Sequence, residues 1–267
     1  KKLPDHYALY ETSVQTPDIH GHTFALMHAE LVGKPARVLR EDFCGTFLIS
    51  IDWALRDPRN IAIGLDLDPV PLAYGKKNHL SKQPASVRRR VKPLRKNVLS
   101  VTSPKADVVA ACNFSFCVFK KRADLIAYFK SVLRSLGRTG ILVLEQSGGP
   151  GMIQKCKERT SHNEPGLGRF TYVWDQKAFD PITHDAKYAI HFRFPDGRKI
   201  ENAFEYDWRL WSIPELREAM EEAGFGSTHV YWNVGRRKDN KLVDFARSET
   251  ADNWYAWIAY IVGSKRA

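Results

Sequence analysis

The stretch "LREDFCGTF" (residues 39–47) decides how this chain is read. It continues a hydrophobic run (Ala36, Val38, Leu39) into two acids, Glu41 and Asp42, and then into Gly45 and Thr46. A glycine where a strand turns into a helix lets the backbone come close to a ligand, and the helix N-terminus offers free N–H groups. Phe43 and Phe47 stand where nucleotide-binding loops of this kind carry glycine. Taken alone, the stretch fits an ordinary strand-to-helix turn better than a cofactor loop.

The second informative stretch is "GLDLDP" (residues 64–69). Asp66 closes a strand-like run about one helix and one strand after the loop. A carboxylate at that place can take both hydroxyls of a nucleotide ribose in a bidentate grip. Asp68 suits the N-cap of the next helix, because Pro69 and Pro71 suit its first turn.

From residue 36 onward, short apolar runs alternate with amphipathic segments. "ARVL", "IAIGLDLD", part of "VKPLRKNVLSV", "ADVVAACNFSF" and "GILVLEQS" read as strands. "TFLISIDWALRD", "PVPLAYGKKNHLSK" and "RADLIAYFKSVLRSLG" read as helices, the last ended by Gly137. This rhythm implies a doubly wound, mostly parallel α/β sheet. Residues 1–34 read as one or two helices around a loop at "SVQTPDIHG" (13–21). After "SGGPG" (147–151) the rhythm changes. Residues 169–174, 186–194 and 198–206 read as strands, the last two joined by the turn "PDG". A helix at "SIPELREAMEEAGF", N-capped by Ser212 and stopped at Gly224, precedes late strands at "STHVYWNV" and "NWYAWIAYIVG". The expected organisation is a helical cap (1–35), an α/β core (36–149 and 207–267) with an antiparallel C-terminal edge, and an antiparallel β insertion (150–206) serving as a substrate lid.

With 267 residues, 43% of them hydrophobic, the chain can bury a sizeable core. No apolar window approaches the length of a transmembrane helix, and the start lacks a signal-peptide pattern, so a cytoplasmic location without membrane contact is expected. Four cysteines without C-x-x-C spacing read as buried reduced thiols. The nine histidines include one close pair, His20 and His22, without metal-ligand spacing, so no metal is expected. Part of the net charge of +11 is concentrated in "VRRRVKPLRK" (87–96) and part in "GRRKDNK" (235–241). No aromatic platform is interleaved with the arginines, which favours solvated surface over a nucleic-acid track.

Loop, acid at the second strand, and polar residues at the third and fourth strand ends occur in an order that resembles class I S-adenosylmethionine-dependent methyltransferases, a Rossmann-like fold. "VLREDFCGTF" is similar to the first motif of that family, departing at Phe43 and Phe47. "IGLDLDP", "LRKNVLSV" and "ADVVAACNFSF" are similar to the next three, and "WSIPELREAMEEAGF" to its late helix. The resemblance covers about residues 36–147 and 208–262. It implies S-adenosyl-L-methionine as cofactor and S-adenosyl-L-homocysteine as product. It places Glu41 near the methionine amine, Gly45 and Phe43 in the loop beside the cofactor, Asp66 on the ribose and Leu67 on the adenine. It puts Asn97 and Val98 at the adenine edge and Asn113 by the methionine part. Arg40 is not a motif residue; its charge could pair with the methionine carboxylate.

Methyl transfer from a sulfonium is an in-line displacement that needs positioning more than a conspicuous base, so no catalytic residue is singled out. The insertion carries Phe170, Tyr172, Trp174, Tyr188, Phe192, Phe194, Phe204 and Tyr206. Half are expected to pack as core and half to line a closed pocket. Tyr10, His20, His22, Tyr172, His191 and Arg193 are the candidate acceptor contacts. A nucleophilic N, O or S atom of a small molecule is the expected acceptor. The alternatives are an RNA methyltransferase using residues 87–96 and a non-catalytic binding protein on the same fold. A nicotinamide enzyme needs the glycine spacing that Phe43 and Phe47 remove.

Overall fold

The computed structural model describes residues 3–236 and 243–266, which form two compact units. Most of the basic run 235–241 lies outside the described residues.

The larger unit comprises Thr16–Ser147, Ser212–Asn253 and Trp257–Ala267. Its helices are α2 (Pro17–Val32), α3 (Leu48–Arg56), α4 (Pro69–Asn78), the one-turn α5 (Ala85–Arg88), α6 (Arg122–Ser135) and α7 (Ile213–Ala223). Its strands are β1 (Val38–Asp42), β2 (Ile61–Asp66), β3 (Val91–Arg95), β4 (Ala106–Ala111), β5 (Leu136–Gly148), β10 (Ser227–Arg236), β11 (Val243–Arg247) and β12 (Trp257–Ser264). They form one sheet in the order β11-β10-β12-β5-β4-β1-β2-β3. The β3-β2-β1-β4-β5 part is parallel, and β10 runs antiparallel to both β11 and β12. β1, which continues into the loop quoted above, lies at the centre of the parallel part.

Alternation along the strands buries both faces of this sheet. Leu39, Ala62, Val108, Ala110, Ile141 and Val143 share a core with Phe24 and Met27 of α2 and Ile49 and Trp53 of α3. Their alternate neighbours Ile63, Leu65, Val109, Leu142 and Leu144 are buried as well. α7 begins with a reciprocal capping box between Ser212 and Glu215 and ends at left-handed Gly224. α6 stops at Ser135 and β5 begins at Leu136, so Gly137 lies in the strand and does not end the helix. The expected loop at 13–21 shrinks to Gln15 and Thr16, because Pro17 starts α2. Among the charges of 87–96, Arg88, Arg89, Lys92, Arg95 and Lys96 are exposed. Half-buried Arg90 donates to the carbonyls of Ala54, Asp57 and Asn60.

The smaller unit comprises residues 3–15, Gly148–Trp211 and Trp254–Ala256. It contains α1 (His6–Val14) and an antiparallel sheet of β6 (Cys156–Glu164), β7 (Gly168–Phe179), β8 (Asp185–Arg193) and β9 (Lys199–Arg209), in that order. The unit boundary at residues 15/16 differs from the expected division at 35/36, because α1 and α2 belong to different units. The eight aromatics do not separate into the expected core half and pocket-lining half. Seven of them lie at even positions of β7, β8 and β9, and the registers set even opposite even (Tyr172 with Phe192, Tyr188 with Tyr206), so these seven share one side. All of the eight but Tyr188 cluster with Leu9, Tyr10 and Val14 of α1, and Tyr188 stacks on Trp174 at 5.0 Å.

Candidate cofactor site

The strand register brings the informative ends level. Asp42 pairs with Leu65 of β2 and with Ala111 of β4, and Ala111 pairs with Leu144 of β5. Phe43, Asp66, Cys112 and Glu145 therefore follow at the carboxyl edge of four adjacent strands, where open α/β sheets bind ligands.

The loop after β1 alternates in hand. Phe43, Gly45 and Phe47 have φ of 56°, 52° and 50°. That is the left-handed region glycine occupies freely and an aromatic residue occupies at a cost of about 1–2 kcal/mol. The two phenylalanines thus hold a glycine-loop backbone without glycine. Phe47 can do so because it is fully buried among Cys44, Ile51, Leu72 and Val91. Gly75 of α4 makes room for it: a Cβ there would stand 2.4 Å from the Thr46 carbonyl and 2.6 Å from the Phe47 ring. Phe43 is half-buried, its ring 6.0 Å from Phe119 and 6.1 Å from Tyr128. Gly45 has no atom within 4 Å of where a Cβ would lie.

Asp66 fastens this loop. One carboxylate oxygen accepts the Gly45 N–H at 2.8 Å and the other the Asp68 N–H at 2.9 Å. Leu67 beside it is 61% exposed. Glu41 is buried, and its Oε2 accepts from the Ser50 N–H and hydroxyl at 2.8 and 2.5 Å in the first turn of α3. Its Oε1 makes no hydrogen bond among the described residues. Burial pushes its pKa up to about 7 in spite of the Ser50 bonds and nearby His20. Asn97 is exposed and accepts the Leu99 N–H. Val98 is buried. Asn113 is left-handed, φ 52°, and its N–H donates to Glu145 Oε2 at 2.5 Å.

Arg40 requires a correction. It is fully buried, bonded to both oxygens of buried Asp42 at 2.7 and 3.2 Å. It also donates to the Ser100 carbonyl at 2.9 Å, the Ser135 hydroxyl at 2.7 Å and the Val98 carbonyl. The guanidinium is committed inside the protein, so it is an internal clamp and not a partner for a ligand carboxylate.

The candidate acceptor contacts are dispersed. His20 and His22, two residues apart on α2, point to different sides. His20 Nε2 meets Glu145 Oε1 at 3.2 Å, whereas His22 lines a cleft with Leu26, Glu30, Tyr231 and Phe245. Burial alone would lower the His20 pKa, but adjacent Cys112 and Glu145 hold it well above the ordinary histidine range. Glu145 stays below the usual carboxylate range despite burial, through His20 and the Asn113 amide. Burial raises the Cys112 thiol to about 11. In the smaller unit, Tyr10 and Tyr172 belong to the aromatic cluster. His191 is buried between Asp175 and Glu201, at 3.1 and 2.8 Å. Exposed Arg193 lines a surface cleft of about 450 Å³ with His162 and Arg169. Glu145 was not anticipated; it sits 125 positions from His20, beyond any sequence spacing.

No protein-family model matches the chain, and no curated protein matches it. Solved structures do. The sugar N-methyltransferase KedS8 from Streptoalloteichus aligns over 100% of this chain and 95% of its own, with TM-score 0.68 and 16% identity. An S-adenosylmethionine-dependent methyltransferase from Clostridium acetobutylicum aligns over 98% of each chain, with TM-score 0.69 and 12% identity. CalS10, an amino pentose methyltransferase from Micromonospora echinaspora solved with S-adenosylmethionine bound, aligns over 99% of each, with TM-score 0.68 and 16% identity. The chain has the fold of S-adenosylmethionine-dependent methyltransferases. At 12–16% identity the likeness is one of fold. Among the described residues no helix is long and apolar enough to cross a membrane.

Proposed function

We propose that the chain transfers a methyl group from S-adenosyl-L-methionine to a nucleophilic N, O or S atom of a small molecule. The observation that carries the reading is the β1 loop. Three left-handed residues, two of them phenylalanine, keep a backbone path that costs stability, with open space above Gly45 and Asp66 fastened beneath. Strain kept at a strand end is a reason to look for a ligand there, and the space left open above Gly45 can take a cofactor.

In this reading Asp66 holds the ribose hydroxyls and the exposed Leu67 side chain packs on the adenine, with Asn97 and Val98 at its edge. Glu41 Oε1 receives the methionine amine, and the Phe43–Gly45 backbone and Asn113 frame the same part. When bound, the cofactor supplies an electrophilic methyl group on a positively charged sulfur. The protein's task is to hold the acceptor atom in line with the sulfur–methyl bond and keep water out. Two of the structural neighbours are described as acting on a sugar and an amino pentose, so amino sugars are the first acceptors to try.

The test is calorimetric titration of wild type, Asp66→Asn and Asp66→Ala with S-adenosylmethionine, S-adenosylhomocysteine and NAD, with melting curves to show that each variant is folded. One S-adenosylhomocysteine per chain is expected, weakened at least about tenfold in Asp66→Ala and less in Asp66→Asn. Binding of NAD without S-adenosylhomocysteine would overturn the reading.

A further inference from the structure

His20, Cys112 and Glu145 come from α2, from the residue after β4 and from β5, so no spacing in the sequence announces them as a group. The register that pairs Ala111 with Leu144 sets Cys112 and Glu145 side by side at the carboxyl edge. α2 lays His20 across them. One ligating atom from each of the three lies within 4.8 Å of the others, and all three residues are buried, at 2%, 5% and 7% exposure.

The outer contacts orient these atoms inward. His20 Nδ1 is held by the Thr16 carbonyl at 2.9 Å, so Nδ1 carries a hydrogen and Nε2 is the nitrogen that faces the cluster. Glu145 Oε2 is held by the Asn113 N–H, so Oε1 is the oxygen that faces it. A second ring nitrogen tied to a carbonyl and a carboxylate tied by an outer donor are the supports that metal ligands receive. Nε2 and Oε1 stand 3.2 Å apart. Two donors each about 2.0–2.1 Å from a tetrahedral zinc ion stand about 3.3 Å apart.

We propose that His20 Nε2, Cys112 Sγ and Glu145 Oε1 bind one divalent cation of the zinc class, with a fourth, open position at the ends of β4 and β5. One imidazole, one thiolate and one carboxylate form a borderline-soft set that selects zinc or cobalt over magnesium or calcium. Charge balances. The ion displaces the thiol proton of Cys112 and the proton shared by His20 and Glu145, two protons for two positive charges. Without an ion, the same groups remain as a buried histidine–glutamate pair. The site does not depend on the methyltransferase reading, and its readout is independent of cofactor binding.

The experiment uses the full chain stripped with a chelator, dialysed, and titrated with cobalt(II). One cobalt per chain should bind, with a near-ultraviolet sulfur-to-cobalt charge-transfer band that one equivalent of zinc removes. The band should vanish in Cys112→Ser, and His20→Gln and Glu145→Gln should each weaken cobalt binding by tenfold or more. If Cys112→Ser does not fold, the triple variant Cys44→Ser/Cys117→Ser/Cys156→Ser, which retains Cys112 alone, must keep the band. A wild-type titration without the band, or a band that survives Cys112→Ser, overturns the proposal and leaves an ion pair only.

Discussion

At the scale of single residues, the loop after β1 separates fold stability from ligand contact. Gly45 sits at φ 52° with nothing within 4 Å of a Cβ position, so Gly45→Ala costs only the backbone penalty, about 1 kcal/mol. The added methyl would occupy the space assigned to the cofactor. S-adenosylhomocysteine affinity should therefore fall more than tenfold while the urea midpoint moves little. Equal losses in both measurements would mean that Gly45 serves the turn alone. Gly75→Ala should do the reverse, since its Cβ collides with the Thr46 carbonyl and the Phe47 ring: stability falls by about 1–3 kcal/mol. The sequence made the strand-to-helix turn and the acid that fastens it legible through Gly45 and Asp66. It could not tell what Phe43 and Phe47 do, because Phe47 packs with Gly75, Leu72 and Val91 and Phe43 with Phe119 and Tyr128, all one helix or more away.

At the scale of elements, Arg40 ties β1 to the segment after β3 and to α6 through Asp42, Val98, Ser100 and Ser135. Tyr128 of α6 donates to the same Asp42 at 2.8 Å. Removing one partner of a fully buried pair strands the other charge. Arg40→Met should lower the unfolding free energy by about 3–5 kcal/mol, and Arg40→Met/Asp42→Asn should recover part of it. Strictly additive losses in urea titrations would show that the two are not coupled. Elements with a clear pattern were legible: β1, β2 and β4 as short apolar runs buried on both faces, and α3, α6 and α7 by apolar residues at a period of 3.6. β6, "CKERTSHNE", was not, because it is an edge strand with polar side chains on both faces and carries no hydrophobic alternation. The end of α6 departs from the local pattern as well. Gly137 looks like a helix stop, but Leu136 is already paired with Ala106 of β4.

At the scale of the molecule, the sequence rhythm marked where the parallel sheet stops near residue 148 but not that residues 3–15 belong with the later β-rich segment. That assignment depends on Leu9, Tyr10 and Val14 meeting aromatics from Phe170 onward, which local periodicity cannot reveal. Global stability carries a signature of the candidate site as well. The Glu41 carboxyl, buried at the centre of the larger unit, has its pKa raised to about 7 against an ordinary 4.5, chiefly by burial. The folded chain thus keeps a proton that the unfolded chain releases. This contribution is fully present below about pH 4.5 and is lost as pH rises through about 7, up to about 3 kcal/mol for a shift of this size. Glu41→Gln cannot ionise and lacks this slope, although it also weakens the contact with Ser50. Urea unfolding of both proteins in EDTA should show wild type losing stability relative to Glu41→Gln between pH 5 and pH 8, while contributions from groups distant from Glu41 cancel in the difference. A difference that stays flat over that range would mean that Glu41 is ionised throughout, with its charge compensated inside the fold before any cofactor amine arrives.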